Sequence, residues 1–199
     1  MSYVKALQKL LNVCLLVFGL SACDLKDDLL PSSSDERGAV VPGSIGNMPG
    51  QVAADFTIQN MYGYDFVLSD HLVGGTNEAD VIVLYFTMWC PICLSHTDHM
   101  YTNIIPQFET RGNVVYGLVD YVSGSVSATY AVAQANGYLT PKFDVLADVN
   151  QAVLNQFNGA MGITIVIDSD DTILMNDDYR TGEKQVEIED AQLTVVNTV

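Results

Sequence analysis

An apolar strand that runs straight into a pair of cysteines constrains this chain more than any other feature. Val81-Ile82-Val83-Leu84-Tyr85-Phe86 is unbroken and rich in β-branched and aromatic side chains, the pattern of a strand covered on both faces. Trp89-Cys90-Pro91-Ile92-Cys93 follows at once. Pro91 suits the first turn of a helix, where a missing N–H costs nothing. The sequence therefore predicts a helix from Pro91 to about Phe108, bent at Pro106. Cys90 then lies at a helix N-terminus, where unpaired N–H groups and the positive dipole end stabilise an anion. The thiolate is the nucleophile, and such placement lowers a cysteine pKa from about 8.5 into roughly the 3.5–7.5 range. Cys93 falls one turn deeper. Cys90 is thus expected to attack a partner disulfide and Cys93 to resolve the mixed disulfide. A loop this small does little to staple a fold.

The rest of the pattern places that site in an α/β chain. Phe56-Thr57-Ile58 and Phe66-Val67-Leu68, around Tyr62-Gly63-Tyr64-Asp65, read as a hairpin. Val114 to Val119 reads as a second buried strand, and Val126 to Ala135 as a small-residue helix ending at Asn136-Gly137. Phe143 to Leu146 is expected to be a short strand, and Asn150 to Phe157 a helix. Ile163 to Ile167 and Thr172 to Met175 pair around Asp168-Ser169-Asp170-Asp171, and Glu183 to Val196 is expected to be a last helix. Strands alternating with helices imply an α/β sandwich.

The N-terminus bears on the compartment. Lys5 and Lys9 precede an apolar run from Leu10 to Leu20, which Leu20-Ser21-Ala22-Cys23 closes with small residues. This is the layout of a secretory signal, too short for a span of about 20 apolar residues. An ordinary cleaved signal or an uncleaved anchor fits the run. Leu20-Ser21-Ala22-Cys23 also resembles the bacterial lipobox, which implies cleavage before Cys23 and lipid on its sulfur. The expected organisation is a signal peptide over 1–22, a flexible Ser/Pro/Gly-rich tether over 23–50 and one domain over 51–199. After loss of 1–22, six Lys/Arg face 24 Asp/Glu, a net charge of −18. Such a surface repels nucleic acid. Outside the cytosol, where disulfides persist, Cys90 and Cys93 would be the one pair left to cycle.

Ala54-Asp55-Phe56-Thr57-Ile58, Val67-Leu68-Ser69-Asp70, the strand with Trp89-Cys90-Pro91-Ile92-Cys93, and Ile165-Val166-Ile167-Asp168 occur in an order that resembles the redoxin/TlpA-like, AhpC/TSA-related branch of the thioredoxin superfamily. The resemblance covers roughly Ala53 to Ile173. It implies a thioredoxin fold, a three-layer α/β/α sandwich on a mixed sheet, with an added N-terminal hairpin. It implies a membrane-tethered thiol-disulfide oxidoreductase without a cofactor. Its partners would be protein disulfide or dithiol clients and an envelope electron donor or acceptor, with a lipid anchor in the membrane and no nucleic acid. In that family an acidic residue often stands six positions after the first cysteine and assists proton transfer. Here His96 stands there and is expected to take the Cys93 proton. The family also carries a cis-proline before the strand that faces the cysteines, and counting back from Ile163 puts Gly162 in that place, after Met161. Trp89, Pro91, Met161 and Gly162 are therefore the expected docking residues, with Trp89 also shielding the pair.

Two other chemistries fit parts of the pattern. Cys90, Cys93, His96 and His99 recur every third residue, and soft thiolates with imidazole suit copper or zinc. Nine helical residues separate Cys90 and His99 by about 13.5 Å, so one ion cannot reach both. A copper site on Cys90, Cys93 and a residue from elsewhere, with Met161 the candidate, stays open. A peroxiredoxin-like peroxidase is the other. Thr87 stands three before Cys90, but Val83 occupies the proline position of that motif, and no arginine of the mature chain matches the position that polarises peroxide.

Overall fold

The computed structural model describes residues 39–196. The expected signal peptide, Cys23 and most of the expected tether lie outside the described residues. The Asn60 side chain accepts from the N–H groups of Tyr62 and Tyr64, and this turn joins β1 (Thr57–Asn60) to its antiparallel neighbour β2 (Asp65–Val67). Next come β3 (Val81–Thr87), α1 (Pro91–His99), a π-helical turn (Met100–Ile104) and α2 (Ile105–Phe108). The bend expected at Pro106 thus takes the form of a widened turn just before it. Proline lacks the N–H that would bond the carbonyl four residues back, and its ring crowds that carbonyl.

The chain continues through β4 (Val114–Asp120), α3 (Val126–Ala135), β5 (Asp144–Ala147) and α4 (Ala152–Gln156). It ends with β6 (Ile163–Asp168), β7 (Ile173–Asp178) and α5 (Glu183–Val196). Ser125 caps α3, accepting from the Ala128 N–H at 3.2 Å, as serine does at helix starts. The seven strands form one mixed sheet in the order β2-β1-β5-β4-β3-β6-β7. β3, β4 and β5 run parallel, and β6 returns antiparallel on the other side of β3. The fold is the expected thioredoxin-like α/β sandwich.

β3 lies inside the sheet, between β4 and β6, and is buried along its whole length. Its side chains alternate between faces, as in any strand. Val83 and Tyr85 pack with Cys93, Met100, Ile104 and Leu193 on one face. Ile82, Leu84 and Phe86 pack with Val153, Phe157 and Ile165 on the other. The helix that starts with the cysteine pair therefore lies on the Tyr85 face.

The folded backbone begins earlier than composition suggests. Residues 43–50, read as the end of the tether, turn back on themselves through a Gly43 N–H to Gly50 C=O bond of 2.9 Å. Gly50 N–H then donates to the Ile173 carbonyl, and Ile173 N–H to the Gln51 carbonyl, each at 2.8 Å. This stretch is fixed by backbone pairing with the start of β7, which leaves no trace in side-chain composition.

Candidate active site

β3 ends at Thr87, and the chain crosses to α1 through Met88 and Trp89. Trp89 takes a left-handed backbone, φ 61°, which is uncommon for a bulky residue. Its N–H donates to Thr87 Oγ1 at 3.1 Å, and its ring stacks on Tyr138 with centroids 6.2 Å apart. That sharp turn lifts Cys90 onto the rim of the sheet. Cys90 is the N-cap of α1 and Pro91 is in its first turn, so the cysteine occupies the place the sequence predicts.

Cys90 Sγ accepts from the Cys93 N–H at 3.3 Å and lies 2.9 Å from Cys93 Sγ. Both cysteines are free thiols. Hydrogen bonding from the Cys93 thiol, then from its backbone N–H, holds the Cys90 thiol below its ordinary range. Cys90 is half-buried and Cys93 is wholly buried. One sulfur is thus presented and activated, and the other is withheld beneath it.

Met161 comes to the same place from the other side. The antiparallel register of β3 with β6 pairs Tyr85 with Thr164, so the residues before β6 run back toward the turn that leads into Cys90. Met161 Sδ lies 3.3 Å from Cys90 Sγ. Gly162 is buried with φ 83°, and both its backbone groups are engaged. Its N–H donates to the Phe86 carbonyl at 3.0 Å, and its carbonyl accepts from Tyr179 N–H at 2.8 Å. No peptide bond among the described residues is cis. Where the family resemblance leads one to look for a cis-proline, this chain has a glycine bonded to β3 and to the residue that follows β7. Met88, Pro91 and Ile92, which flank Cys90 in the chain, and Met161, which touches it, are exposed and make an apolar rim at the site.

His96 does not hydrogen-bond to either cysteine. Its Nδ1 lies 3.0 Å from the hydroxyl of Tyr85, and its ring packs on Tyr179 with centroids 4.6 Å apart. Burial lowers the imidazole pKa, a shift opposed by the Asp178 carboxylate and aided by His99. Tyr85 is the residue that sequence reasoning missed. It is 1% exposed, and burial first, then the charge and hydrogen bonding of Cys93, raise its phenol well above the ordinary range. Only the alternation of β3 carried the signal, since residues 83 and 85 share the face that α1 covers. His99 joins this cluster from its outer side, with Nδ1 2.7 Å from the Tyr179 hydroxyl.

Residues 49–175 match the AhpC/TSA family. The chain belongs to the AhpC/TSA family. Solved structures extend the likeness at the level of fold. A candidate protein disulfide isomerase from Bacteroides thetaiotaomicron is 18% identical with a TM-score of 0.57, over 75% of this AhpC/TSA chain and 88% of that one. A candidate thiol:disulfide interchange protein DsbE from Chlorobium tepidum is also 18% identical, TM-score 0.57, over 73% and 98%. Peroxidoxin BcpB from Mycobacterium tuberculosis is 20% identical, TM-score 0.53, over 76% and 97%. No curated protein matches the chain. The neighbours include both thiol-disulfide proteins and a peroxidoxin, so the choice between these chemistries falls to the site of this AhpC/TSA protein.

Proposed function

We propose that this protein is an extracytoplasmic thiol-disulfide oxidoreductase, tethered to a membrane by lipid on Cys23. The observation that carries the reading is the pairing of a half-buried Cys90 of lowered pKa with a wholly buried Cys93 one turn inward. The apolar rim supplies a docking face for a protein client, and the Leu20-Ser21-Ala22-Cys23 stretch supports export and anchoring. In the reducing direction the Cys90 thiolate attacks a client disulfide, forming a mixed disulfide and releasing one client thiolate. Cys93 then loses its proton and attacks Cys90 Sγ. That step closes the Cys90–Cys93 disulfide and releases the second client thiolate, so two electrons pass to the client. An envelope dithiol resets the pair by the reverse exchange. No cofactor enters either step.

Tyr85 gives the Cys93 proton a route. With His96 carrying its ring proton on Nε2, Nδ1 accepts from the Tyr85 hydroxyl, which in turn takes the Cys93 proton. The phenol is too weak an acid to ionise, so it acts by passing one proton as it receives another. The lowered imidazole pKa keeps His96 neutral and ready to accept near pH 7.

Dithiol exchange is favoured over a peroxidase. Val83 is buried inside β3 at the position where the peroxidase motif places proline, and both described arginines face carboxylates. Arg111 lies 2.6 Å from Asp190 and Arg180 3.9 Å from Asp178.

The test is a Cys93→Ser variant expressed in the native envelope. Cys90 is expected to hold client proteins as mixed disulfides that reducing agent releases and mass spectrometry identifies. A Cys90→Ser, Cys93→Ser double variant should trap none. Equal capture by both variants would overturn the proposal.

A further inference from the structure

Three sulfur atoms meet at the mouth of α1. Cys90 Sγ is 2.9 Å from Cys93 Sγ and 3.3 Å from Met161 Sδ. The first two come from one helical turn and the third from the entry to β6, seventy-one residues later. We propose that the reduced protein binds one copper(I) ion between Cys90, Cys93 and Met161. The inference uses the same sulfurs as disulfide exchange but stands on a different property of them, their softness.

Ligand chemistry selects the ion. Two thiolates and a thioether are soft donors, which favour copper(I) over hard cations. Zinc takes four ligands from Cys, His and carboxylates, and among the described residues no group of three or more His, Cys, Asp or Glu is placed to hold a metal. The nearest imidazole, His96, has Nδ1 turned to the Tyr85 hydroxyl. A soft ion content with three ligands is what this donor set fits.

Geometry and charge permit entry. With metal–sulfur bonds of about 2.3 Å, as for zinc thiolates, three ligands around one ion stand about 4 Å apart. The sulfurs therefore need to spread by roughly 1 Å, and the two on the rim are free to do so. Met161 is 41% exposed on an unbranched, adaptable side chain. Binding displaces the two thiol protons and leaves one net negative charge at a helix N-terminus, where the dipole stabilises it. A Cys90–Cys93 disulfide cannot bind the ion, so loading and disulfide exchange exclude each other.

The test is anaerobic titration of the reduced protein with copper(I) against a chromophoric copper(I) chelator, followed by X-ray absorption at the copper edge. One ion per chain is expected, with three sulfur neighbours and protection of both thiols from a disulfide reagent. Met161→Leu should retain the fold and lower the affinity by roughly tenfold or more, since even outer-shell partners are worth that much at metal sites. Its absorption spectrum should lose one sulfur. Cys93→Ser should lose binding almost entirely. Identical affinity and sulfur count in wild type and Met161→Leu would overturn the three-sulfur site, as would an unprotected dithiol at full loading. A protein that traps clients but takes no copper sinks this inference alone. One that takes copper but traps nothing sinks the oxidoreductase reading alone.

Discussion

The hydroxyl of Tyr85 stands 3.0 Å from Nδ1 of His96, so the buried end of β3 and the third position after the buried cysteine of α1 share one hydrogen bond. Cys93 is fully buried, and a buried thiol gives up its proton only to a group placed beside it. In the relay proposed above, His96 reaches that thiol through the phenol rather than directly.

Removing the Tyr85 hydroxyl should expose this dependence. Tyr85→Phe keeps the ring in the core and deletes the relay. Resolution of a preformed Cys90 mixed disulfide is expected to slow by roughly 10²-fold, the lower end of what a positioned proton-transfer group supplies. The initial attack by Cys90 should change little. Stopped-flow kinetics would separate the two phases. In wild type the resolving rate should level off above the lowered His96 pKa, whereas in the variant it should climb with pH into the thiol range. An unchanged rate and profile would remove Tyr85 from the mechanism.

The nucleophile's acidity depends on its partner. Hydrogen bonding from the Cys93 side chain is the largest influence lowering the Cys90 pKa, followed by its backbone N–H. Cys93→Ala should therefore raise the Cys90 pKa, while the helix N-terminus keeps it below that of a free cysteine. The pH dependence of Cys90 alkylation in the two proteins measures this. A midpoint that does not move would show that the helix alone sets the acidity.

Much of the fold and of the site is legible in the sequence. The run Val81–Phe86 gave a strand because six apolar residues with β-branching have few other uses. Cys90 and Pro91 then marked the helix start through capping chemistry alone. Val126–Ala135 was read as a helix ending at Asn136-Gly137, and the helix has those limits. Met161 was located through the family resemblance, by counting back from Ile163 to the place of the cis-proline. What the chain did not disclose depends on pairing between distant segments. Residues 43–50 look like a linker because their order comes from backbone bonds to Gln51 and Ile173. Tyr85 looks like one more core aromatic until α1 is laid over it. The bond from His96 to Tyr85 was hidden for the same reason, since the sequence pattern of α1 carries no sign of a side chain that comes from the sheet.

Gly162 holds a backbone conformation that an alanine meets only under strain. Its φ of 83° lies in the left-handed region, which costs a residue with a Cβ roughly 1–2 kcal/mol. An added Cβ would also stand 3.2 Å from Asp178 Oδ1. Gly162→Ala should destabilise the fold by about 1–2 kcal/mol and displace Met161 from Cys90. Urea unfolding reads the first effect and the Cys90 alkylation rate the second. A variant as stable as wild type would show that the turn before β6 relaxes without strain.

The last helix carries a buried acid that should make stability depend on pH. Glu189 is fully buried on α5. Its carboxylate accepts from the Tyr116 hydroxyl of β4 at 2.6 Å and from Gln185 Nε2 at 2.5 Å. Those bonds favour the ionised form, but burial outweighs them and pushes the pKa up from 4.5 to about 7. The folded protein then keeps this proton to a higher pH than the unfolded chain does. The resulting contribution to stability is whole below about pH 4.5, falls as pH rises through the window up to about 7, and is lost above it. Glu189→Gln stays neutral throughout and retains an acceptor for Tyr116. The variant should match wild type near pH 4.5 and exceed it at pH 8, by up to roughly 3 kcal/mol at 1.36 kcal/mol per pH unit. Asp171, whose pKa burial also raises to about 6, titrates in both proteins and cancels in the comparison. Urea midpoints at pH 4.5, 6 and 8 supply the measurement. If the difference between the two proteins is the same at all three, Glu189 is ionised in the fold at a cost too small to matter, and the balance struck between its burial and its two donors is the reverse of the one argued.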